Sequence, residues 1–177
     1  RERGMAGGPR LRLYTSDQAH SSIEKAALVL GIGQEGVRKI PTDAEFRLDA
    51  AALRAAIAED RRAGWQPFCV VATVGTTSTT SVDPVPAIAE ICEQEGLWLH
   101  VDGAYAGMAA VAPEFRWVLD GCSRADSVVI NPHKWLGAVF DCSLFYTRAP
   151  VHLVRVMSTS PSYLRTAADG QVTNYRD

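Results

Sequence analysis

The stretch FCVVATV, residues 68–74, decides the fold class of this 177-residue chain. It is short, unbroken and rich in β-branched residues, which is typical of a strand buried on both faces of a parallel sheet. Helix patterns flank it at 50–63 and 85–94. The other strand patterns lie at 11–14, 37–40, 97–101, 127–130 and 142–146, with a further helix pattern at 21–30. Repeated strand–helix–strand units predict an α/β fold with a mostly parallel sheet.

The end of the chain lacks this alternation. From Thr147 onward the strand and helix patterns fade, and residues 158–173 are rich in Ser, Thr, Pro and Gly, which predicts a mobile loop. The chain starts at Arg1 and stops at Asp177 without a closing structural element. We therefore expect it to be an internal piece of a longer protein.

Composition and charge exclude several classes of protein. Hydrophobic residues make up 47% and charged residues 21%, the balance of a soluble globular protein. Acidic residues outnumber basic ones by 20 to 18 and the basic ones are scattered, so we expect no nucleic-acid partner. No apolar run approaches the ~20 residues that cross a membrane, and the four cysteines lack the C-x-x-C spacing of a zinc site. A reduced, cytoplasmic compartment fits these features best.

Chemically capable side chains follow the predicted strands at their carboxyl ends, where open α/β sheets bind ligands. Asp102 follows the strand at 97–101, and Lys134 follows the strand at 127–130. A single Asp after a strand is often a turn former, and a single Lys is usually a solvated charge. Together they suit pyridoxal 5'-phosphate (PLP), because the lysine can form an imine with its aldehyde and the carboxylate can keep its ring nitrogen protonated. The apolar neighbours of Lys134 predict a poorly hydrated amine, which is a better imine former.

Four motifs in this order resemble the group II PLP-dependent decarboxylases. They are SDQAHSS at 16–22, VATVGTTS at 71–78, LHVDGAYAG at 99–107 and NPHKW at 131–135. The triplet Asp141-Cys142-Ser143 is similar to the aromatic branch, which includes the dopa, tyrosine, tryptophan and histidine decarboxylases. The resemblance covers nearly the whole chain from about Leu11, and four ordered motifs make it specific.

The resemblance assigns roles to eight residues. Lys134 matches the Schiff-base lysine, Asp102 the partner of the pyridinium nitrogen, and His20 the imidazole stacked on the cofactor ring. Tyr163 matches the proton-donating tyrosine of the mobile loop. The remaining cofactor-contacting matches are Ala104, Thr77, Asn131 and His133. His100 and His152 have no such match and are interpreted as structural or surface residues. Gly103 replaces an alanine of many relatives, and we expect little effect.

The resemblance also implies how the chain is organised and what it does. Residues 1–147 would form an incomplete segment of the large, cofactor-binding domain of a fold-type I enzyme. Residues 148–177 would hold the mobile catalytic loop and the start of the next segment, so that the N-terminal segment, the phosphate-binding serine loop and the C-terminal domain are missing. The complete protein would be a homodimer that decarboxylates an aromatic L-amino acid to its amine and CO2, whereas this piece alone would be inactive.

Two alternatives remain open. An aromatic aldehyde synthase shares the fold and couples decarboxylation to oxidative deamination, but that branch typically has phenylalanine in place of the loop tyrosine, so Tyr163 favours plain decarboxylation. A non-catalytic homologue would have no need of the set formed by Lys134, Asp102, His20 and Tyr163, and that set argues against it.

Overall fold

A single sheet organises the part of the chain that the computed structural model describes, Met5 and residues 7–158. Its strands are β1 (Leu11–Ser16), β2 (Val37–Ile40), β3 (Gln66–Thr73), β4 (Trp98–Gly103), β5 (Ser127–Ile130) and β6 (Leu144–Thr147). They lie in the order β2-β1-β3-β4-β5-β6. The first five pair in parallel, and β6 runs antiparallel to β5. The expected α/β class with a mostly parallel sheet is confirmed.

Helices connect the strands. They are α1 (Ser22–Val29), α2 (Ala50–Arg62), α3 (Val85–Glu95), the one-turn α4 (Pro132–Trp135) and α5 (Pro150–Met157). Short 3₁₀ turns lie at Gln34–Gly36, Gly107–Val111, Pro113–Leu119 and Cys122–Arg124. Of the helices in the described ranges, none has the length and apolarity that crossing a bilayer requires.

The sequence of α2 shows why the helix begins, ends and packs as it does. The Asp49 carboxylate accepts hydrogen bonds from the backbone N–H groups of Ala51 and Ala52, a cap worth about 1 kcal/mol. Leu53 and Ile57 lie one helical turn apart and are fully buried against the sheet, which contributes roughly 1.5–3 kcal/mol per side chain. The helix ends before Gly64, which has a φ of 81°.

The two faces of the sheet are covered differently. Helices α2 and α3 pack on one face, where Leu99 and Val101 of β4 join the larger apolar core. Helix α1 packs on the other face, where Ala27 contacts Leu13 and Val71 in a smaller cluster. Side chains alternate between the faces of a strand, so β4 sends its polar residues to the α1 side. That side carries the cleft described below.

Asp83 links two separate segments of the chain through hydrogen bonds to their backbones. Its buried carboxylate accepts hydrogen bonds from the backbone N–H of Leu48, at 2.7 Å, and of Thr73, at 2.8 Å. Burial raises the pKa of Asp83 to about 6, although the two N–H donors act in the opposite direction. This carboxylate fixes the end of β3 relative to the segment that leads into α2.

Three elements differ from the sequence-based prediction. Asp102 lies inside β4, since the strand pairs with its neighbours as far as Gly103. The lysine motif forms the helix α4, where the sequence pattern predicts only a connection. Helix α5 occupies residues at which the pattern fades, because its three valines are weak helix formers and its N-cap, Ala149, supplies no side-chain acceptor.

Candidate active site

A cleft of about 480 Å³ lies at the carboxyl edge of the sheet, on the face that α1 covers. Six of the eight residues predicted from the sequence line it: His20, Thr77, Asp102, Ala104, Asn131 and Lys134. They come from separate parts of the chain, and the parallel strands bring them to one edge. The side chain of His133 is not part of this lining, and Tyr163 lies outside the described residues.

Asp102 forms the floor of the cleft. It is half-buried in β4, with Thr73 and Val129 as its register partners on the neighbouring strands. Its Oδ1 accepts a hydrogen bond from the Ala104 backbone N–H at 3.1 Å. Within the described ranges, no Lys or Arg forms an ion pair with this carboxylate. The adjacent Thr73 hydroxyl is buried without a hydrogen-bond partner there. The cleft therefore offers a ligand a carboxylate that has no cationic partner among the described residues.

Lys134 reaches the cleft from α4. The helix is fixed at its start by Asn131, whose carbonyl accepts the Lys134 backbone N–H at 3.0 Å. Trp135 packs edge-on against Tyr105, with ring centroids 5.3 Å apart, so α4 is held against the segment that follows Asp102. The expected apolar enclosure of Lys134 is wrong for the described residues. Lys134 is exposed, as are Trp135 and Leu136, although Trp135 also contacts Tyr105.

The ring of His133 contacts the connection to β6. Its Nδ1 accepts the Cys142 backbone N–H at 3.0 Å. Asp141 Oδ1 lies 3.3 Å from the same nitrogen, but an Nδ1 that accepts a hydrogen bond has no proton to share with a carboxylate. We therefore interpret His133 as holding this connection in place, and a direct contact with a cofactor remains a prediction.

His20 is an exposed residue of the cleft lining, two residues before the start of α1. Its Nδ1 accepts the Ser22 backbone N–H at 3.2 Å and lies 2.9 Å from Ser22 Oγ. These contacts orient the ring at the start of the helix and leave the proton of the neutral imidazole on Nε2. The residue thus combines the helix-capping contact with a place in the cleft lining.

The loop that carries Thr77 depends on Gly75. Gly75 has a φ of 80°, and a Cβ at this position would lie 2.3 Å from the Cβ of Ala106. The loop is further ordered by buried Thr76, whose hydroxyl lies 2.6 Å from that of Thr79 and 3.0 Å from that of Ser81. Glycine therefore allows the Thr77 loop and the segment after Asp102 to meet beside the cleft.

Gly103 has its own close neighbour. A Cβ there would lie 3.1 Å from the Val129 carbonyl oxygen, so the alanine of many relatives would need a small shift of β5. The expectation that this difference has little effect remains a prediction.

The sequence motifs did not identify several residues of the cleft lining, among them His100, interpreted above as a structural or surface residue, and Phe145. His100 lines the wall of the cleft, with Nδ1 2.8 Å from Ser127 Oγ, and Phe145 of β6 stacks on the His100 ring. Strand alternation is the signal that could have found His100, because residues 100 and 102 of one strand share a face. Phe145 had no comparable signal, since its approach depends on β6 reversing direction beside β5.

Comparison with known proteins agrees with this geometry. The family model described as the pyridoxal-dependent decarboxylase conserved domain matches residues 4–177. The aromatic-L-amino-acid decarboxylase of Rattus norvegicus is 47% identical over 169 residues, which cover 94% of this chain and 35% of that protein. The phenylacetaldehyde synthase of Petunia hybrida is 45% identical over 172 residues, which cover 95% of this chain and 34% of that protein.

A solved structure extends the likeness to three dimensions. The crystal structure of Oryza sativa TDC with PLP and tryptamine superposes with a TM-score of 0.90 at 44% identity, covering 97% of this chain and 36% of that one. The chain thus spans about a third of the length of the relatives it matches. With the family model matching almost every residue and the motif residues gathered around one cleft, the chain belongs to the pyridoxal-dependent decarboxylase family.

Proposed function

We propose that the complete protein uses PLP to decarboxylate an aromatic L-amino acid, giving the corresponding amine and CO2. The observation that carries this proposal is the cleft itself, in which Lys134 and the Asp102 carboxylate line the same cavity. Relatives named for decarboxylation of aromatic amino acids, at 44–47% identity, support the substrate class.

The described residues fit the cofactor. An aldehyde needs an amine, and Lys134 supplies one in the cleft lining. A protonated ring nitrogen needs an anion, and Asp102 has no cationic ion-pair partner among the described residues. Ring substituents need polar partners, and the polar residues Thr77 and Asn131 line the cleft. Ala104 beside Asp102 adds little bulk, which leaves room for a flat ring.

Each residue would then have a distinct task. When bound, the cofactor supplies a ring that accepts the electron pair left on Cα as CO2 departs. Lys134 Nζ would hold the cofactor aldehyde carbon and give it up to the substrate amine. Asp102 would keep the ring nitrogen protonated, which favours electron flow into the ring. His20 would cover the ring and exclude water from that side. Tyr163 would return a proton to Cα.

The aldehyde synthase remains the second candidate. The similarity to the Petunia hybrida phenylacetaldehyde synthase is almost as high as the similarity to the decarboxylases. Tyr163 favours the decarboxylase, because a phenol can donate a proton at Cα and phenylalanine cannot.

The complete protein is proposed to be a homodimer, as the resemblance implies. Apolar side chains on β6 and α5, among them Phe145, Tyr146, Val154 and Met157, are exposed in this chain. An apolar surface of this kind supports burial against further protein. Light scattering of the full-length protein would distinguish a dimer from a monomer.

Lysine substitution tests the proposed activity. In the full-length protein, Lys134→Ala should lower kcat/KM for amine formation by at least about 10²–10⁴-fold, because no other described amine lines the cleft. Lys39→Ala is the matched control, since Lys39 pairs with Glu24 on the surface at 2.7 Å. Borohydride should trap the cofactor on Lys134 in the wild type. Wild-type turnover by Lys134→Ala, or a wild type without an imine absorption band, would contradict the proposal, and the second result would favour a non-catalytic homologue.

A further inference from the structure

His100 has a fixed orientation in the wall of the cleft. Its ring stacks on Phe145, with centroids 6.3 Å apart, and its Nδ1 lies 2.8 Å from Ser127 Oγ. It shares the cleft-facing side of β4 with Asp102, two residues on, at a Cα separation of about 6.6 Å from the strand rise. A positive charge on His100 would therefore interact with the Asp102 carboxylate.

The hydrogen-bond chain from Trp98 determines where the His100 proton sits. An indole N–H can only donate, so Trp98 Nε1–H donates to Ser127 Oγ at 2.9 Å. Ser127 is 3% exposed, and its hydroxyl proton needs an acceptor inside the protein. In the described part of the chain that acceptor is His100 Nδ1. Because Nδ1 accepts, the neutral ring carries its proton on Nε2.

The same chain opposes a positive charge on His100. A proton on Nδ1 would point at the Ser127 hydroxyl proton, which would have to turn away and lose its buried acceptor. Burial also lowers the pKa of His100, against the opposing attraction of Asp102. Ser127 of β5 and Phe145 of β6, which contact the ring, carry no charge.

We propose that His100 is a positioning residue that Ser127 and Trp98 hold as the neutral Nε2–H tautomer, so that the Asp102 carboxylate stays free for the cofactor nitrogen. An imidazolium at His100 would pair with Asp102 and compete with the protonated ring nitrogen. This inference rests on the proposed function and adds a device that maintains the charge of its key carboxylate.

The test uses the full-length protein with ¹⁵N-labelled histidine. His100→Gln identifies the His100 resonances by their loss. In the cofactor-free wild type at neutral pH, the spectrum should show a neutral ring with the proton on Nε2. Ser127→Ala should shift His100 toward the protonated form and weaken PLP binding roughly three- to tenfold, the effect of one buried hydrogen bond. Ser127→Thr, which restores the hydroxyl, should recover both readouts.

His152→Ala is the matched control. His152 contacts the edge of the Trp98 ring, at 6.5 Å between centroids, but has no part in the hydrogen-bond chain. It should leave the His100 spectrum and the PLP affinity as in the wild type. A protonated His100 in the wild type overturns the proposal, and so does weaker PLP binding in Ser127→Ala with an unchanged His100 spectrum. The proposed function fails separately, through a wild type that binds no PLP.

Discussion

Substituting Gly75 tests whether the cleft depends on the close approach of two loops. Gly75→Ala places a methyl group at a φ of 80° and 2.3 Å from the Cβ of Ala106. Gly64→Ala is a matched control, because Gly64 has a φ of 81° and a Cβ added there would have no neighbour within 4 Å. Both variants carry the same left-handed backbone penalty, and only the first adds a steric conflict.

The expected magnitudes separate these two effects. A non-glycine residue in the left-handed region costs roughly 1–2 kcal/mol, which both variants share. Forcing a methyl group into a packed site costs about 1–3 kcal/mol more, which applies to Gly75 alone. The conflict is relieved if the Thr77 loop moves away from Ala106, and Thr77 lines the cleft. Borne wholly by the PLP-binding conformation, this cost would lower affinity about 5- to 150-fold in Gly75→Ala, and any share that stays in the cofactor-free fold would lower its stability instead.

Two measurements on the full-length protein compare the PLP affinity and the stability of the two variants. A PLP titration followed by absorbance should show weaker binding for Gly75→Ala and wild-type binding for Gly64→Ala. Chemical denaturation of the cofactor-free proteins should show the larger loss of stability in Gly75→Ala. Equal behaviour of the two variants in both measurements would refute the reasoning, because it would mean that backbone strain alone matters and the approach to Ala106 does not.

Three other predictions address single side chains. Asp102→Asn should retain PLP and lose mainly kcat, since a neutral amide no longer stabilises a protonated ring nitrogen; steady-state kinetics with unchanged kcat would make Asp102 only a positioning residue. Tyr163→Phe should form amine about 10²–10⁴-fold more slowly and, with O2 and water, release aldehyde, ammonia and hydrogen peroxide; full amine yield without peroxide would argue against this. Burial raises the folded pKa of Asp83 to about 6, above its ordinary 3.8, so its contribution to stability should rise by roughly 2 kcal/mol as pH falls from 7 to 4. Denaturation midpoints at several pH values should show this rise in the wild type relative to Asp83→Asn, and a constant difference would contradict it.

The central strands are well predicted from the sequence because their signal is local. The run around Val70 is apolar on both faces, and its burial on both sides of the sheet follows directly. The carboxyl ends of β4 and β5 then place Asp102 and Lys134 at one edge, as expected for parallel strands.

The remaining features depend on tertiary contacts that no local pattern records. The sequence pattern ends the strand before Asp102, but pairing with Thr73 and Val129 extends β4 past it. The exposure of Lys134 could not be predicted either, because it depends on which parts of the protein pack over α4. Tyr163 lies outside the described residues, and its role stays a prediction.

The alternation along β4 has a consequence for insertions and deletions. Leu99 and Val101 face the larger core, while His100 and Asp102 face the cleft. Gain or loss of one residue before Leu99 would exchange these sets, placing a carboxylate in the core and a leucine in the cleft. A small local rearrangement could not compensate, because the packing of the core and the lining of the cleft would both be disrupted. The segment between α3 and Asp102 should therefore tolerate amino-acid substitutions far better than insertions or deletions.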